Sequence, residues 1–413
     1  MRWPLVRFEE VALPEKGAIV SGPFGSNISS RFFVDEGVPV IRGNNLTFGH
    51  RKFVDDGFVY LTENKAQEFR NCVAVTDDLI FTAAGTIGQV GIIPAETRFD
   101  RYIISNKQLR VRCDRRKVSP LFLFLWFTTE KMRQHIINKN TGCSIPLINL
   151  GILRGLPIPL PALDVQERIA SAISTYDDLI ENNRRRIALL EEAARQVYQE
   201  WFVRLRFPGR EHTRIVDGVP EGWEKCCVKN LGRVITGKTP STTDSSNHGG
   251  DIPFVKTPDM HGNAYVTETE SFLTDKGAES QSGKFVPANT ILVSCIGAKL
   301  GAVSLTSCRA QFNQQINAVI PSNEVHTFFC YFACTDMKPT LEALGGGATM
   351  PNVNKSKFEN LTVILPSRFL CKNFHEFCSP VFRQIQVLAL QNQKLRTARD
   401  LLLPKLMSGE IAV

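Results

Sequence analysis

The chain has 413 residues, of which 43% are hydrophobic and 22% are charged, and its formal net charge is +8 at pH 7. One hydrophobic core rarely extends over so many residues, so the length predicts two or three domains. The composition is typical of a soluble globular protein, and the longest strongly apolar run, residues 121–127, is far shorter than the ~20 residues that cross a bilayer. Residues 1–5 lack the apolar core of a signal peptide, so we expect a cytoplasmic protein with no membrane contact.

The sequence carries none of the short motifs of the common catalytic or metal sites. It has no Gly-x-x-x-x-Gly-Lys-Ser/Thr phosphate loop, no His-Glu-x-x-His pair and no Gly-x-Ser-x-Gly elbow. The seven histidines are scattered and the eleven cysteines include no Cys-x-x-Cys pair, which favours free thiols over disulfides or a metal site. These features indicate a binding protein and not an enzyme, and the positive charge is compatible with a polyanionic partner.

The sequence repeats itself at a long offset. Residues 142–149 return as residues 347–354, with Pro146 matching Pro351, so that the offset is 351 − 146 = 205. Further matches with small shifts join residues 84–88 to 296–301 and residues 106–108 to 313–315. This period is much longer than the roughly 20 to 50 residues of a solenoid repeat. The repeat therefore predicts two similar whole domains on one chain.

The first predicted domain covers residues 1–163 and combines a mostly antiparallel sheet with helices. Short apolar or β-branched runs bounded by turn residues predict strands, and a longer apolar run that leads into charged residues predicts a helix. The predicted strands include 38–41, 78–81 and 108–112, and the predicted helix is 120–138. The domain ends in the proline-rich, extended stretch 156–161, and residues 207–367 repeat this α+β plan.

Each domain is followed by a long predicted spacer helix. In the first, residues 164–206, a seam recurs in alternating steps of four and three residues from Ile169 to Trp201, which is the heptad pattern of a coiled coil. The second helix lies within residues 368–413 and carries a similar seam. Because Pro380 lies inside it, we expect a kink there, with the long helix starting afresh at this proline.

One asparagine interrupts each seam, Asn183 in the first helix and Asn392 in the second. A buried asparagine lowers the stability of a coiled coil but fixes its register. We therefore predict antiparallel helices with Asn183 opposite Asn392. The same register pairs Ile180 with Leu395, Ile187 with Leu388 and Leu190 with Ile385, and it brings Tyr176 to Arg399 for a cation–π contact. The alternative is that each helix packs only on its own domain.

Polar and glycine-rich loops lie at equivalent positions in the two domains while their side chains differ. Their arginine, lysine, asparagine, aspartate and hydroxyl side chains are the types that contact base edges and phosphates of DNA. The candidate DNA-binding residues of the first domain are Ser21, Phe24, Ser26, Arg42, Asn44, Asn45, Thr86, Lys107 and Ser144. Those of the second are Lys238, Thr239, Lys256, Thr257, Asp259, Lys299, Thr349 and Asn352. One scaffold with two side-chain sets would read two different short sequences.

Nearly all of the chain resembles the specificity subunits of type I restriction–modification systems. The segments that carry the resemblance are 156–161, 166–169, 179–183, 197–202 and the tail 401–411. The resemblance implies two target-recognition domains separated by paired helices, with each domain reading one half of an asymmetric bipartite site in double-stranded DNA. Pro380 and its surroundings make the second helix less regular than the first.

The resemblance also implies partners and the absence of a catalytic centre. The helices would set the spacer and dock two methyltransferase subunits, and translocating restriction subunits would join that complex. Adenine methylation and ATP-driven cleavage would belong to those partners, and no cofactor is implied for this chain. Two alternatives stay open: a specificity chain of a combined restriction–methylation enzyme that cuts on both sides of its site, and a scaffold that holds proteins and not DNA.

Overall fold

The computed structural model describes residues 3–260, 262–297, 299–346 and 351–413. The chain divides into two compact units, unit 1 (residues 1–179 with 395–413) and unit 2 (residues 180–394). Each unit combines sheets with helices, which confirms the α+β class. Each also contains parts of both long helices, and the four-segment division drawn from the sequence stays a prediction. Over the described ranges, no helix is long and apolar enough to cross a membrane.

Three sheets form from the part of unit 1 that the structure describes. Their strands are β1 (Leu5–Arg7), β2 (Ile19–Ser21), β3 (Phe33–Val34), β4 (Val38–Ile41), β5 (Val59–Leu61), β6 (Val73–Ala74), β7 (Leu79–Thr82), β8 (Val90–Ile92), β9 (Tyr102–Ile104), β10 (Gln108–Val111) and β11 (Pro157–Pro159). The strand orders are β2-β10-β7-β8, β3-β5-β4-β9-β6 and β1-β11. Only the β4–β9 pair is parallel among these named strands. All four residues of β7 are buried, as its short apolar run indicates.

The single helix predicted over residues 120–138 is two helices. The unit-1 helices before the spacer are α1 (Glu63–Glu68), α2 (Pro120–Thr128), α3 (Glu130–Ile137) and α4 (Leu150–Arg154). Thr129 separates α2 from α3, because its backbone is extended and its side chain accepts a hydrogen bond from the Met132 amide. A threonine at this position caps a new helix, and this local hydrogen bond overrides the continuous apolar-to-polar pattern. Phe127 of α2 packs against Phe81 of β7, with their ring centroids 4.8 Å apart.

The described residues of unit 2 form four sheets. Its strands are β12 (Ile215–Val216), β13 (Val219–Pro220), β14 (Glu224–Cys227), β15 (Gly232–Thr236), β16 (His248–Val255), β17 (Tyr265–Val266), β18 (Ser271–Leu273), β19 (Ile291–Ser294), β20 (Val303–Thr306), β21 (Gln311–Phe312), β22 (Ile316–Pro321) and β23 (Thr362–Leu365). The strand orders are β15-β22-β19-β20-β17, β18-β16-β21, β14-β23 and β12-β13. Antiparallel pairs again dominate, with β16–β21 and β17–β20 parallel.

The short helices of unit 2 lie between these strands along the chain. They are α6 (Val228–Leu231), α7 (Asp275–Glu279), α8 (Thr327–Asp336), α9 (Lys338–Gly345) and α10 (Lys355–Glu359). Helix α8 is buried over most of its length because its residues are almost all apolar. Its Phe328 packs against Phe382 of the C-terminal helix, with ring centroids 4.5 Å apart.

The two long helices are α5 (Leu163–Tyr198), which continues into a π-helical turn at Gln199–Val203, and α11 (Arg368–Ser408). Helix α11 runs through Pro380 without interruption, so the predicted restart at this proline is wrong. A proline removes one intrahelical hydrogen bond. The flanking side chains of Cys378 and Phe382 are fully buried in the unit-2 core, and this packing holds the helix together across the gap.

In unit 2 the two long helices pair antiparallel. Asn183 Nδ2 donates to Asn392 Oδ1 at 3.0 Å, and both residues are buried, at 7% and 3% exposure. At the other end, the rings of Trp201 and Phe374 lie 6.0 Å apart. Both pairs sum to 575 (183 + 392 and 201 + 374), which is the predicted antiparallel register. The predicted partners Ile187, Leu388, Leu190 and Ile385 pack in one hydrophobic cluster. The pair Ile180 and Leu395 has one member in each unit and stays a prediction.

In unit 1 the ends of these helices meet through an ion pair. Arg399 Nη1 lies 2.6 Å from Asp177 Oδ1, and the arginine is 7% exposed. Arg399 also binds its neighbour Asp400, whose carboxylate lies 3.4 Å from the Nε2 atom of His50. The predicted register places Arg399 opposite Tyr176. In the structure its ion-pair partner is Asp177, the residue that follows Tyr176.

Candidate nucleic-acid interface

Five loops of unit 1 come together at one end of the sheet β2-β10-β7-β8. Backbone hydrogen bonds join them in sequence: Ala83 N to Lys107 O (2.7 Å), Ile148 N to Ala83 O (2.9 Å), Gly85 N to Pro146 O (2.9 Å), Gly22 N to Gln108 O (3.0 Å) and Ser105 N to Ile41 O (3.0 Å). We call residues 21–26, 42–45, 83–88, 105–107 and 141–148 loop cluster 1. The hydrogen bonds fix the mutual positions of these loops although the loops are far apart in sequence.

Unit 2 repeats this arrangement bond for bond. The equivalent bonds run from Cys295 N to Gln315 O (2.8 Å), Val353 N to Cys295 O (2.9 Å), Gly297 N to Pro351 O (3.0 Å), Gly237 N to Ile316 O (3.1 Å) and Asn313 N to Val255 O (3.0 Å). We call residues 237–239, 256–259, 295–297 with 299, 313–315 and 351–353 loop cluster 2. The two clusters are therefore the same backbone scaffold.

The shared hydrogen bonds correct the sequence alignment of one loop. The sequence matches residues 106–108 with 313–315, but the structure places Lys107 where unit 2 has Gln315, and Ser105 where unit 2 has Asn313. Residues 105–107 are thus equivalent to 313–315. The sequence match is shifted by one residue because it aligns identical Asn and Gln letters, whereas the backbone bonds define the position.

Close backbone approach explains a glycine in each cluster. A Cβ atom at Gly22 would overlap the carbonyl oxygen of Ser105, and a Cβ atom at Gly237 would overlap that of Asn313. Only glycine leaves room for one loop to lie directly on the other. Gly85 and Gly297, also equivalent, have φ values of +91° and +92°, which non-glycine residues rarely adopt.

Two of the candidate DNA-binding residues hold their own loops in place. Asn45 Oδ1 accepts from the Arg42 amide at 2.9 Å, and Asp259 Oδ2 accepts from the Lys256 amide at 2.7 Å. Asn45 is 0% exposed, and its Nδ2 donates to the carbonyls of Val54 and Asp56, both at 2.9 Å. The structure gives Asn45 a role in turn stability, and it leaves Asp259 half-buried at the same turn position.

The remaining candidates of loop cluster 1 lie at or near its surface. Exposed side chains are those of Phe24, Ser26, Asn44, Thr86, Lys107 and Ser144, and half-buried ones are those of Ser21 and Arg42. Phe24 is 82% exposed, an unusual position for a phenylalanine. The Nε atom of Arg42 is buried and has no hydrogen-bond partner among the described residues. A buried guanidinium donor without a partner is suited to an anionic ligand.

The candidates of loop cluster 2 are distributed in a similar way. Exposed side chains are those of Lys238, Lys299 and Asn352, and half-buried ones are those of Thr239, Lys256 and Asp259. Thr257 is 7% exposed and donates to Gln315 Oε1 at 3.0 Å, so it supports the neighbouring loop from inside. Thr349 lies outside the described residues. Burial raises the pKa of the Cys295 thiol to about 11, which keeps this cluster residue neutral at physiological pH.

Sequence reasoning missed one basic residue beside each cluster. Arg133 of α3 lies over Gly88: a Cβ atom built on Gly88 would be 3.2 Å from the Cγ atom of Arg133. In the same way Lys338 of α9 lies over Gly301, and a Cβ atom built on Gly301 would be 2.7 Å from the Cγ atom of Lys338. The two residues are again 338 − 133 = 205 positions apart. A comparison of the two domains at the repeat offset would have identified them, since it aligns two basic residues in helices that otherwise differ in sequence.

The sequence matches the family described as the type I restriction modification DNA specificity domain over residues 30–192 and again over 220–386. It is 30% identical over 377 residues to the type I restriction enzyme HindI specificity subunit of Haemophilus influenzae, which covers 76% of this chain and 82% of that protein. It is 25% identical over 391 residues to the MjaIX specificity subunit of Methanocaldococcus jannaschii, covering 91% of this chain and 87% of the relative.

The fold is also that of a solved member. The crystal structure of a type I restriction–modification system S subunit from M. genitalium matches with a TM-score of 0.61 at 14% identity, over 98% of this chain and 96% of that chain. Two copies of one family domain, on two copies of one loop scaffold, account for most of the chain. The chain thus belongs to the specificity subunits of type I restriction–modification systems, a family of non-catalytic subunits.

Proposed function

We propose that this subunit recognises an asymmetric bipartite site in double-stranded DNA, with each loop cluster reading one half. The observation that carries the proposal is the equivalence of the two clusters, which share five backbone hydrogen bonds while their exposed side chains differ. A common scaffold can contact the sugar–phosphate backbone of two DNA segments in the same way. Different side chains on that scaffold give the two halves different sequences.

The loop chemistry divides into two tasks. Arg42 and Lys256 occupy the same turn position in the two clusters, and each is the residue whose amide is fixed by the turn side chain. We assign them to phosphate or guanine contacts, because a basic side chain serves both. Lys107, Lys238 and Lys299 are exposed around the clusters and supply positive charge for phosphates. Asn44, Thr86, Ser144 and Asn352 are exposed polar groups that suit base edges or the DNA backbone.

The long helices carry the proposed contacts with the other subunits. Several large apolar side chains on α5 and α11 are exposed, among them Leu189 (71%), Phe369 (68%) and Leu401 (65%). A contiguous exposed apolar patch marks a surface that a partner covers, and these side chains are the candidates for such a patch on the long helices. We propose that these helices dock two methyltransferase subunits and that restriction and translocase subunits join through that complex in the cytoplasm.

Long-read methylation sequencing of cells that express this chain with its neighbouring methyltransferase subunit tests the proposal. A split motif, with two short defined blocks around an undefined spacer, is the expected result. Single substitutions in loop cluster 1 and in loop cluster 2 should then alter different blocks. An active, co-purifying methyltransferase that modifies no motif would contradict the proposal and support a protein scaffold.

A further inference from the structure

Two polar side chains form a fixed pair at the exposed edge of loop cluster 2. The Thr239 hydroxyl donates to Gln314 Oε1 at 2.6 Å, and the glutamine side chain is exposed. The backbone on either side is held by bonds from Lys238 N to Phe312 O (3.0 Å) and from Gln315 N to Asn313 Oδ1 (3.2 Å). An exposed glutamine normally samples many rotamers, and this contact favours one orientation of its amide.

The hydrogen-bonding groups left on this amide match one base. A carbonyl oxygen has two lone pairs, so Gln314 Oε1 can accept a second hydrogen bond beside that of Thr239. The contact with Thr239 uses Oε1, so Nε2 of this exposed side chain is left to donate to a ligand. The amide thus offers one acceptor and one donor side by side. In the major groove this pair complements the N6 amino group and N7 of adenine, whereas guanine presents two acceptors there.

Unit 1 carries different residues at the same two positions. Gly22 is equivalent to Gly237, and residues 105–107 are equivalent to 313–315, through the shared backbone bonds. Phe24 therefore stands where unit 2 has Thr239, and Asn106 where it has Gln314. Both unit-1 residues are exposed. The position is common to the two scaffolds, but the threonine–glutamine contact belongs to unit 2.

We propose that Gln314 reads an adenine in the half-site bound by unit 2 and that Thr239 is its positioning residue. This assignment rests on the proposed function, since it names a base contact within that recognition. The assignment goes beyond the proposed function because it links one base pair, within one half of the motif, to one side chain.

The test is methylation sequencing of the Gln314→Ala variant expressed with the methyltransferase subunit. We expect one A·T position in one block to become degenerate, with modification of sites that carry other bases there rising about 10- to 100-fold relative to the wild type. The other block should not change. Retained stringency at every position of both blocks, or relaxation at a position that is not A·T, overturns the assignment. A wild-type chain that directs no motif would instead overturn the proposed function itself.

Gln314→Glu provides an independent readout at nearly constant side-chain volume. A carboxylate accepts from the N4 amino group of cytosine and cannot donate to adenine N7, so the preferred base at that position should move from adenine to cytosine. A Gln314→Glu variant that still selects adenine contradicts the proposal, whether or not the alanine variant is active. Asn106→Ala is the matched control, and it should leave the unit-2 block unchanged.

Thr239 is tested by its hydroxyl. Thr239→Val keeps the shape but removes the donor, and we expect it to relax the same single position as Gln314→Ala. Thr239→Ser keeps the donor and should restore the stringency of the wild type. Equal effects of the valine and serine variants, or relaxation of a different position, would rule out positioning through the hydroxyl.

Discussion

Neighbouring asparagines on one turn of unit 1 have opposite environments. Asn45 points inward and makes hydrogen bonds to three backbone groups, whereas Asn44 is exposed and donates only to the Gly57 carbonyl, at 3.2 Å, among the described residues. Both are asparagines in a polar turn, so the sequence alone gives them the same candidate role. The structure separates them because a side chain one residue further along the turn points to the other side.

We therefore expect Asn45→Ala to destabilise the protein and Asn44→Ala to leave its stability nearly unchanged. The Asn45 substitution removes three part-buried hydrogen bonds to the backbone, and such a loss lowers the free energy of unfolding by about 1–3 kcal/mol. Urea unfolding of the two variants measures the difference. Equal stability of the two variants would contradict the structural role of Asn45.

Arg42 and Lys256 offer a matched pair for the reading of the two halves. Arg42→Ala should weaken the stringency of one block of the motif, and Lys256→Ala that of the other, because each lies in a different loop cluster. Methylation sequencing with the methyltransferase subunit measures both blocks in one experiment. If Arg42→Ala weakens both blocks equally, the residue positions the whole molecule or stabilises the fold and does not read one half.

At the scale of elements, the paired asparagines of α5 and α11 form a buried hydrogen bond within unit 2. Asn183→Leu alone leaves Asn392 without its partner, and the reverse holds for Asn392→Leu, so each single variant should be less stable by about 1–3 kcal/mol. The double variant removes both amides and should recover much of this loss, since leucine suits a coiled-coil seam. Thermal unfolding of the four proteins tests this. Additive losses in the double variant would show that the two amides are not coupled.

The parts of the fold that follow from periodicity could be predicted, and those that depend on packing could not. The heptad seam and its two asparagines predict the antiparallel register, because a residue spacing determines which side chains share a helix face. The continuity of α11 through Pro380 could not be predicted, since it depends on burial of Cys378 and Phe382 in the unit-2 core. The burial of individual loop residues could not be predicted either, because no sequence pattern shows that Asn45 and Thr257 point inward.

At the scale of the whole molecule, the affinity for DNA should depend strongly on salt. If Arg42, Lys107, Lys238, Lys256 and Lys299 each neutralise one phosphate, their contribution to the log–log slope of affinity against salt is about −4.5, at −0.9 for each phosphate. Replacing Lys238 and Lys299 with alanine should therefore make the slope of the assembled complex less steep by about 2. Lys16→Ala is the control, because Lys16 is exposed near the opposite end of β2 from loop cluster 1. A slope that Lys238 and Lys299 leave unchanged would remove them from the DNA interface.

Exchange of a complete recognition domain should change one half of the motif and preserve the other. Residues 207–367 are suited to this because β14, near their beginning, pairs with β23, near their end, with Glu224 opposite Leu365. A replacement from another specificity subunit would thus enter and leave at adjacent strands and keep both long helices intact. We expect methylation sequencing to show a new second block beside the original first block, and the reciprocal exchange of residues 1–163 to show the opposite. The reciprocal exchange is equally feasible, because β1 and β11 pair near the two ends of residues 1–163. Loss of both blocks in either exchange would mean that the two halves are not read independently.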